Sequence, residues 1–297
     1  MRARSQSIGS ARVRLTGFYL LLLPALLYFL VFAYGPVLNG IRVSLHRFRF
    51  IGESPFLGLE NYRVALTSLV FWRVFANTVI LSSWNVILTA LVPMVVALFL
   101  NELDAAWFRR VVQTSIYLPH IFSWVVVGGI WIFMLSPNAG LMNGARELLD
   151  LEPIYYMATE RYARSIFVGA NLWKQTGFVC VLYLASLSGI NPLLYEAARI
   201  DGANRFQQAI FITIPQLLET VKVVLLLNLM GALKIFDQVY VMRNAVIGPR
   251  VDVLMYHVYI QGLEKFRLGY AAAVSMIVFM ITLVITLVVQ RWIRYRV

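Results

Sequence analysis

The chain has 297 residues, 60% of them hydrophobic and 13% charged, with a mean hydropathy of +0.75. A water-soluble domain is about half apolar and about a quarter charged, so this surplus makes lipid the solvent and excludes an ordinary soluble globular protein. The formal net charge of +12 gathers at the two ends and in the connections, which speaks for membrane flanks and against nucleic acid.

Arg2, Arg4, Arg12 and Arg14 open the chain with no acid among them, a tail over 1–14 ahead of a single transmembrane domain over 15–297. A spanning helix needs about 20 apolar residues. Six stretches qualify, at 15–35, 75–100, 111–135, 165–187, 217–241 and 268–290. They are too long for barrel strands of about 10 residues, and helices are the other structure that satisfies every backbone group in lipid. The expected fold class is therefore all-α and polytopic. The first stretch reads as a retained span rather than a signal peptide, because its apolar run is long and no small-x-small site follows at Tyr34-Gly35-Pro36.

Arg291, Arg294 and Arg296 follow the last span. Six spans put both ends on one side, and the positive-inside rule makes that side cytoplasmic, together with the loops at 101–110 and 188–216. The loops near 36–74, 136–164 and 242–267 then face outward. Arg42, Arg47, Arg49, Arg63 and Arg73 in the first outer loop run against the rule, so the opposite orientation stays open; the agreement of the two end clusters favours the first.

Within the spans, Lys174, Asn85, Asn228 and Lys234 interrupt apolar sequence, with Asp237 near the outer end of the fifth. Buried ions usually face a bundle interior or a water-filled path. Two readings stand for Lys174, a path residue or a stem that snorkels to the interface. Two also stand for Lys234 and Asp237, a local i,i+3 salt bridge or a ligand contact. Gly128-Gly129, Gly169-Ala170 and Gly269 with the three alanines after Tyr270 allow close helix approach.

Motifs of soluble chemistry are missing from the sequence. The dipeptide Gly-Lys does not occur, so the chain carries no P-loop of its own. His46, His120 and His257 are far apart, with no H-E-x-x-H and no G-x-S-x-G, and a dyad of His120 with Ser186 or Ser188 has nothing to fix its geometry. The single cysteine, Cys180, excludes an internal disulfide and any cysteine-based metal cluster. No catalytic, cofactor or metal residues are assigned. A stand-alone secondary transporter is disfavoured by the length and by the lack of a clear repeat pair.

The stretch Tyr195–Pro215 is different in kind, a polar, helix-prone run between two long apolar segments. Asn191-Pro192 is a helix start, with Asn as N-cap and Pro at the first turn. Gly202 follows Asp201 where a helix ends on positive φ. Asn204 with Gln207 makes a second start resembling a capping box, and Phe206, Ala209, Ile210 and Thr213 share one face of that second helix. Pro215 ends the second helix or begins the fifth span. Ala197 and Ala198 let a partner approach the backbone closely. Glu196, Arg199, Asp201 and Arg205 balance in charge, unlike a polybasic lipid-binding helix. Docking to a protein groove fits this better than lying on the bilayer.

These residues resemble the cytoplasmic motif of membrane permease subunits of ABC importers, EAA-x3-G-x9-I-x-L-P. Glu196-Ala197-Ala198, Gly202, Ile212 and Pro215 match at the family spacing, and Ile214 stands where the family has leucine. Gly58-Leu59-Glu60-Asn61-Tyr62, Phe71-Trp72, Asn77-Thr78, Tyr117-Leu118-Pro119, Trp173-Lys174, Gly177-Phe178, and Phe236-Asp237 through Gly269-Tyr270 are similar to the carbohydrate-uptake, maltose-permease-like branch. Ile247-Gly248-Pro249 departs from the family's Gly-Gly-Pro. The resemblance implies a type I importer permease fold in a bacterial or archaeal cytoplasmic membrane. It implies four kinds of partner: membrane lipid, a second homologous permease, two ATP-binding subunits that use ATP and Mg, and an extracytoplasmic solute-binding protein. The loop at 188–216 would be the coupling loop, with Glu196, Ala197, Ala198, Asp201, Gly202, Ile212 and Pro215 as its contact residues. Lys174, Asn228, Lys234 and Asp237 are the candidates for the solute path. A sugar or oligosaccharide is the expected solute, with a phosphate ester such as glycerol phosphate, or a polyamine, as the alternative.

Overall fold

The computed structural model describes residues 19–138 and 140–294, with side chains as far as 291. The expected tail over 1–14, with Arg2, Arg4, Arg12 and Arg14, and also Arg296, lie outside the described residues. The described helices, in chain order, begin with α1 (Tyr19–Ser44), α2 (Glu60–Thr67), α3 (Leu69–Asn101), α4 (Ala106–Ile121), α5 (Trp124–Met134) and α6 (Leu141–Glu147). They continue with α7 (Glu160–Ser188), α8 (Pro192–Ile200), α9 (Arg205–Ala232), α10 (Asp237–Met242), α11 (Gly248–Val251), α12 (Leu254–Tyr259) and α13 (Leu268–Arg294). Four of them, α1, α3, α9 and α13, are long and apolar enough to cross a membrane; the number becomes six when each of two bent pairs counts as one span.

The chain divides into two compact units. In the first, residues to Ala65 and Gln261–Met276, the Gly58–Tyr62 segment fastens the end of α1. The Asn61 amide donates to the carbonyls of Ser44 (2.8 Å) and His46 (3.1 Å), and the Ser44 and Tyr62 hydroxyls bond at 2.7 Å. A Cβ on Gly269 would lie 2.2 Å from the His46 carbonyl oxygen, so glycine alone permits that approach.

In the second unit, Leu66–Ile260 and the described residues from Ile277, α3 packs along α7. The Ser68 hydroxyl caps α3 by accepting from the Phe71 amide. At 33 residues the helix is about 50 Å long, well over the hydrocarbon thickness. Its buried residues Val74, Thr78, Leu81, Ala90, Ala97 and Leu100 recur at helical spacing. Pro93 loosens one turn, and the fully buried Tyr183 donates its hydroxyl to the nearby Ala90 carbonyl at 2.9 Å. Asn77 and Thr78 fasten the segment after α10. The Asn77 amide donates to the carbonyls of Pro249 and Asp252, each at 3.1 Å, and accepts from Arg164 at 2.8 Å. Thr78 accepts from the Leu254 amide at 2.9 Å. The Ile247 that departs from the family pattern is fully buried there.

Three expectations need correction. The span over 111–135 is broken into α4 and α5, which meet at 107°. Pro119 weakens the last turn of α4, Phe122 and Ser123 are extended, and Ser123 starts a new helix by accepting from the Val126 amide. The fifth span does not cover 217–241. It starts at Arg205 and ends at Ala232, so the second helix of the polar loop is the beginning of the span. Pro215 does not end it. A π-turn at Ala209–Thr213, in which the Ile214 amide bonds the Ala209 carbonyl, widens the helix just before the proline ring. Finally, of Gly128 and Gly129 only the first makes a close approach, its Cβ position lying 2.7 Å from Val241; Gly129 meets nothing within 4 Å.

Candidate functional site

The polar loop folds as its residues dictate. The Asn191 side chain accepts from the Leu193 amide at 3.0 Å, and Pro192 occupies the first turn of α8. The helix closes on Gly202 at φ +83. The Gly202 amide bonds the Arg199 carbonyl at 3.1 Å and the Ala203 amide bonds the Ala198 carbonyl at 2.9 Å, the paired bonds of a Schellman stop. Asn204 and Gln207 then form a reciprocal capping box, at 2.9 and 2.8 Å. The result is a hairpin whose second arm is α9.

Glu196, Ala197, Asp201, Gly202 and Pro215 are exposed on this hairpin, while Ala198 and Ile212 are half-buried. Among the described residues, Glu196 and Asp201 have no ion-pair partner. Leu193, Ile200, Phe206 and Phe211 are exposed as well, between 64% and 88%. The expected common face of Phe206 and Thr213 is not kept, because the π-turn shifts the register: Phe206 is exposed and Thr213 buried. Arg205 pairs with Glu102 at 2.9 Å, joining the hairpin to the connection after α3.

A cavity of 410 Å³ lies among the long helices of the second unit. Its polar lining comes from four of them: Ser82, Asn85 and Thr89 on α3, His120 on α4, Asn171 and Gln175 on α7, and Asn228 on α9. Among the described residues, four buried polar atoms of this set have no hydrogen-bond partner, namely Asn85 Oδ1, Thr89 Oγ1, His120 Nδ1 and Asn228 Nδ2. Buried polar groups are nearly always hydrogen-bonded, so such a cluster belongs to a surface built to meet something polar. The His120 ring lies flat on Phe178, centroids 4.8 Å apart and planes at 13°. Among the described residues, no carboxylate, lysine or arginine lines the cavity. Amides both donate and accept, as a sugar hydroxyl requires of its partners.

Of the expected path residues only Asn228 lines this cavity. Lys174 points to the break between α4 and α5. Its ammonium donates to the carbonyls of Pro119 (3.4 Å), His120 (2.9 Å) and Phe122 and sits 5.7 Å from the centre of the Trp124 ring. It is buried and does not snorkel. It satisfies the carbonyls that the broken helix leaves open, with its charge at the negative end of the helix dipole. Lys174 and Asp237 line a neighbouring cavity of 360 Å³ with Trp124 and Tyr240. Lys234 is exposed and lines neither. Lys234 and Asp237 form no salt bridge with each other, because α9 has ended at Ala232 and the i,i+3 geometry of a continuous helix does not apply. Ser186 bonds Thr220 at 2.8 Å and Ser188 bonds the Ala185 carbonyl, so neither serves as a partner of His120. Sequence reasoning missed Thr89, Asn171 and Gln175, and noted Asn85 without placing it. A signal existed, since Asn85/Thr89 and Asn171/Gln175 are i,i+4 pairs of polar residues on single faces of apolar helices.

The model of the family described as "Binding-protein-dependent transport system inner membrane component" matches residues 91–297. The trehalose/maltose transport system permease protein MalF of Thermococcus litoralis is 34% identical over 284 residues, 94% of each chain. The polygalacturonan/rhamnogalacturonan transport system permease protein YteP of Bacillus subtilis is 32% identical over 277 residues, covering 92% of this chain and 86% of that one. Among solved structures, a chain of a bacterial ABC transporter involved in the import of the acidic polysaccharide alginate superposes with a TM-score of 0.88 at 31% identity, over 97% of this chain and 99% of that one.

Proposed function

This chain belongs to the family of binding-protein-dependent transport system inner membrane components, a multi-pass permease, and on that premise we propose that it carries a sugar or oligosaccharide through the cavity at Asn85, His120, Gln175 and Asn228. The observation that carries the proposal is the continuity of α9. One helix of 28 residues, about 42 Å, begins in the exposed hairpin and ends in the cavity wall at Asn228 and Ala232. The same helix thus links the hairpin to the wall.

The mechanism follows from that connection. Two ATP-binding subunits, with ATP and Mg, close on each other and displace the hairpins seated in them. Glu196 makes the polar contact, with Asp201 beside it; Ala197 and Ala198 pack closely, Gly202 turns the chain, and Ile212 and Pro215 shape the second arm. A second, homologous permease completes the path, and an extracytoplasmic solute-binding protein delivers the solute. ATP and the loaded binding protein shift the equilibrium between inward- and outward-facing states only through their different affinities for the two. The chain itself hydrolyses nothing and holds no cofactor. Its hairpin and both termini face the cytoplasm of a bacterial or archaeal cell. A sugar is favoured over a polyamine or a phosphate ester because the cavity lining has neither carboxylates nor fixed cations, while it has four amide side chains and an aromatic face.

Uptake by the reconstituted importer tests the assignment. Asn228→Leu keeps the volume and removes the amide. The Michaelis constant for uptake should rise about five-fold, the order expected for one lost hydrogen bond, with assembly unchanged. An unaltered uptake curve would remove Asn228 and this cavity from the path.

A further inference from the structure

We propose that the hydrogen bond between Tyr195 and Thr213 is a clamp that makes the hairpin and α9 move as one body. The proposal rests on the coupling reading above and adds the element that transmits the movement.

The need for a clamp lies in the backbone. The π-turn at Ala209–Thr213 sits between the exposed part of α9 and the part that lines the cavity. Such turns interrupt the regular ladder and are where helices bend. A soft turn at this point would absorb a push on the hairpin before it reached Asn228.

Side chains bridge that turn from both directions. Gln208, buried, donates its amide to the Ala203 carbonyl at 2.9 Å and so fastens the near end of α9 to the hairpin bend. Thr213, the last residue of the π-turn and 6% exposed, donates its hydroxyl to the Gln208 carbonyl at 3.4 Å. The Tyr195 hydroxyl lies 3.0 Å from the Thr213 oxygen and donates to it. Tyr195 precedes Glu196 on α8, so the bond runs from beside the Glu-Ala-Ala contact to the last residue of the soft turn. One step farther along, the Thr220 hydroxyl donates to Ser186 at 2.8 Å and ties α9 to α7. Displacement of α8 therefore reaches α9 at the cavity end of its weak point, and both arms that line the cavity receive it. Tyr195 and Thr213 act as positioning residues; they touch neither nucleotide nor solute.

The test uses the complete importer in lipid vesicles: this chain, its partner permease, the ATP-binding subunits and the solute-binding protein. Tyr195→Phe removes the bond and keeps the shape, Thr213→Val removes it together with the bond to the Gln208 carbonyl, and Thr213→Ser keeps the hydroxyl. The expected result is normal assembly and basal ATP hydrolysis, with solute moved per ATP lower by about five-fold in Tyr195→Phe, as for one lost hydrogen bond, and by at least as much in Thr213→Val, no loss in the double variant beyond that of Thr213→Val, and recovery in Thr213→Ser. An unchanged ratio in both single variants would overturn the proposal. So would failure of both to assemble, which would assign the pair to folding. Glu196→Lys run alongside separates the two levels. If it too transports normally, the coupling reading falls; if it abolishes uptake while Tyr195→Phe keeps the wild-type ratio, the clamp alone falls.

Discussion

A lysine ammonium inside an apolar helix must be matched, because an unpaired charge in hydrocarbon is expensive. Lys174 is matched by backbone carbonyls at the end of α4 and just after it, which Pro119 and the following turn leave without amide donors. The charge and the break depend on each other. Lys174→Met leaves those carbonyls unsatisfied and should destabilise the purified protein by about 1–3 kcal/mol, read as a lower thermal midpoint in detergent. Lys234→Met, at an exposed site, should stay within about 0.5 kcal/mol. Equal effects from the two would refute the capping role of Lys174. The sequence showed that Lys174 was unusual but could not reveal its partner. The carbonyls it meets lie more than fifty residues earlier, on a helix whose break is itself a tertiary event.

At the scale of elements, the hairpin was legible because its signals are local. Asn191-Pro192, Gly202 and the Asn204–Gln207 box each act within a few residues, and each forms as its chemistry requires. The break at Phe122–Ser123 and the extension of α9 back to Arg205 were not legible. Both depend on how a proline is accommodated, and the buried Pro119 and the exposed Pro215 have different outcomes. Helix crossings also depend on residues far apart. A Cβ on Gly177 would lie 2.3 Å from the Ile116 carbonyl oxygen, so the backbones of α4 and α7 touch there. Gly177→Ala should force them apart and cost about 1–3 kcal/mol, seen as reduced yield of folded protein and a lower thermal midpoint. Gly129→Ala, with nothing within 4 Å, should show no loss.

At the scale of the whole molecule, composition and span pattern specify an all-α membrane protein, and the family match agrees with them. The cavity was only partly legible. Its polar residues are scattered over α3, α4, α7 and α9, and only packing brings them together. Asn228 was found because it interrupts an apolar run; His120 was visible but had been weighed only as a base. The central claim is that a push on the hairpin from outside the membrane opens a path for sugar within it. Solute uptake and solute-stimulated ATP hydrolysis, measured on the same reconstituted Glu196→Lys importer, test it most directly. The expected result is an assembled complex in which both are abolished. Wild-type levels of both in that complex would contradict the claim.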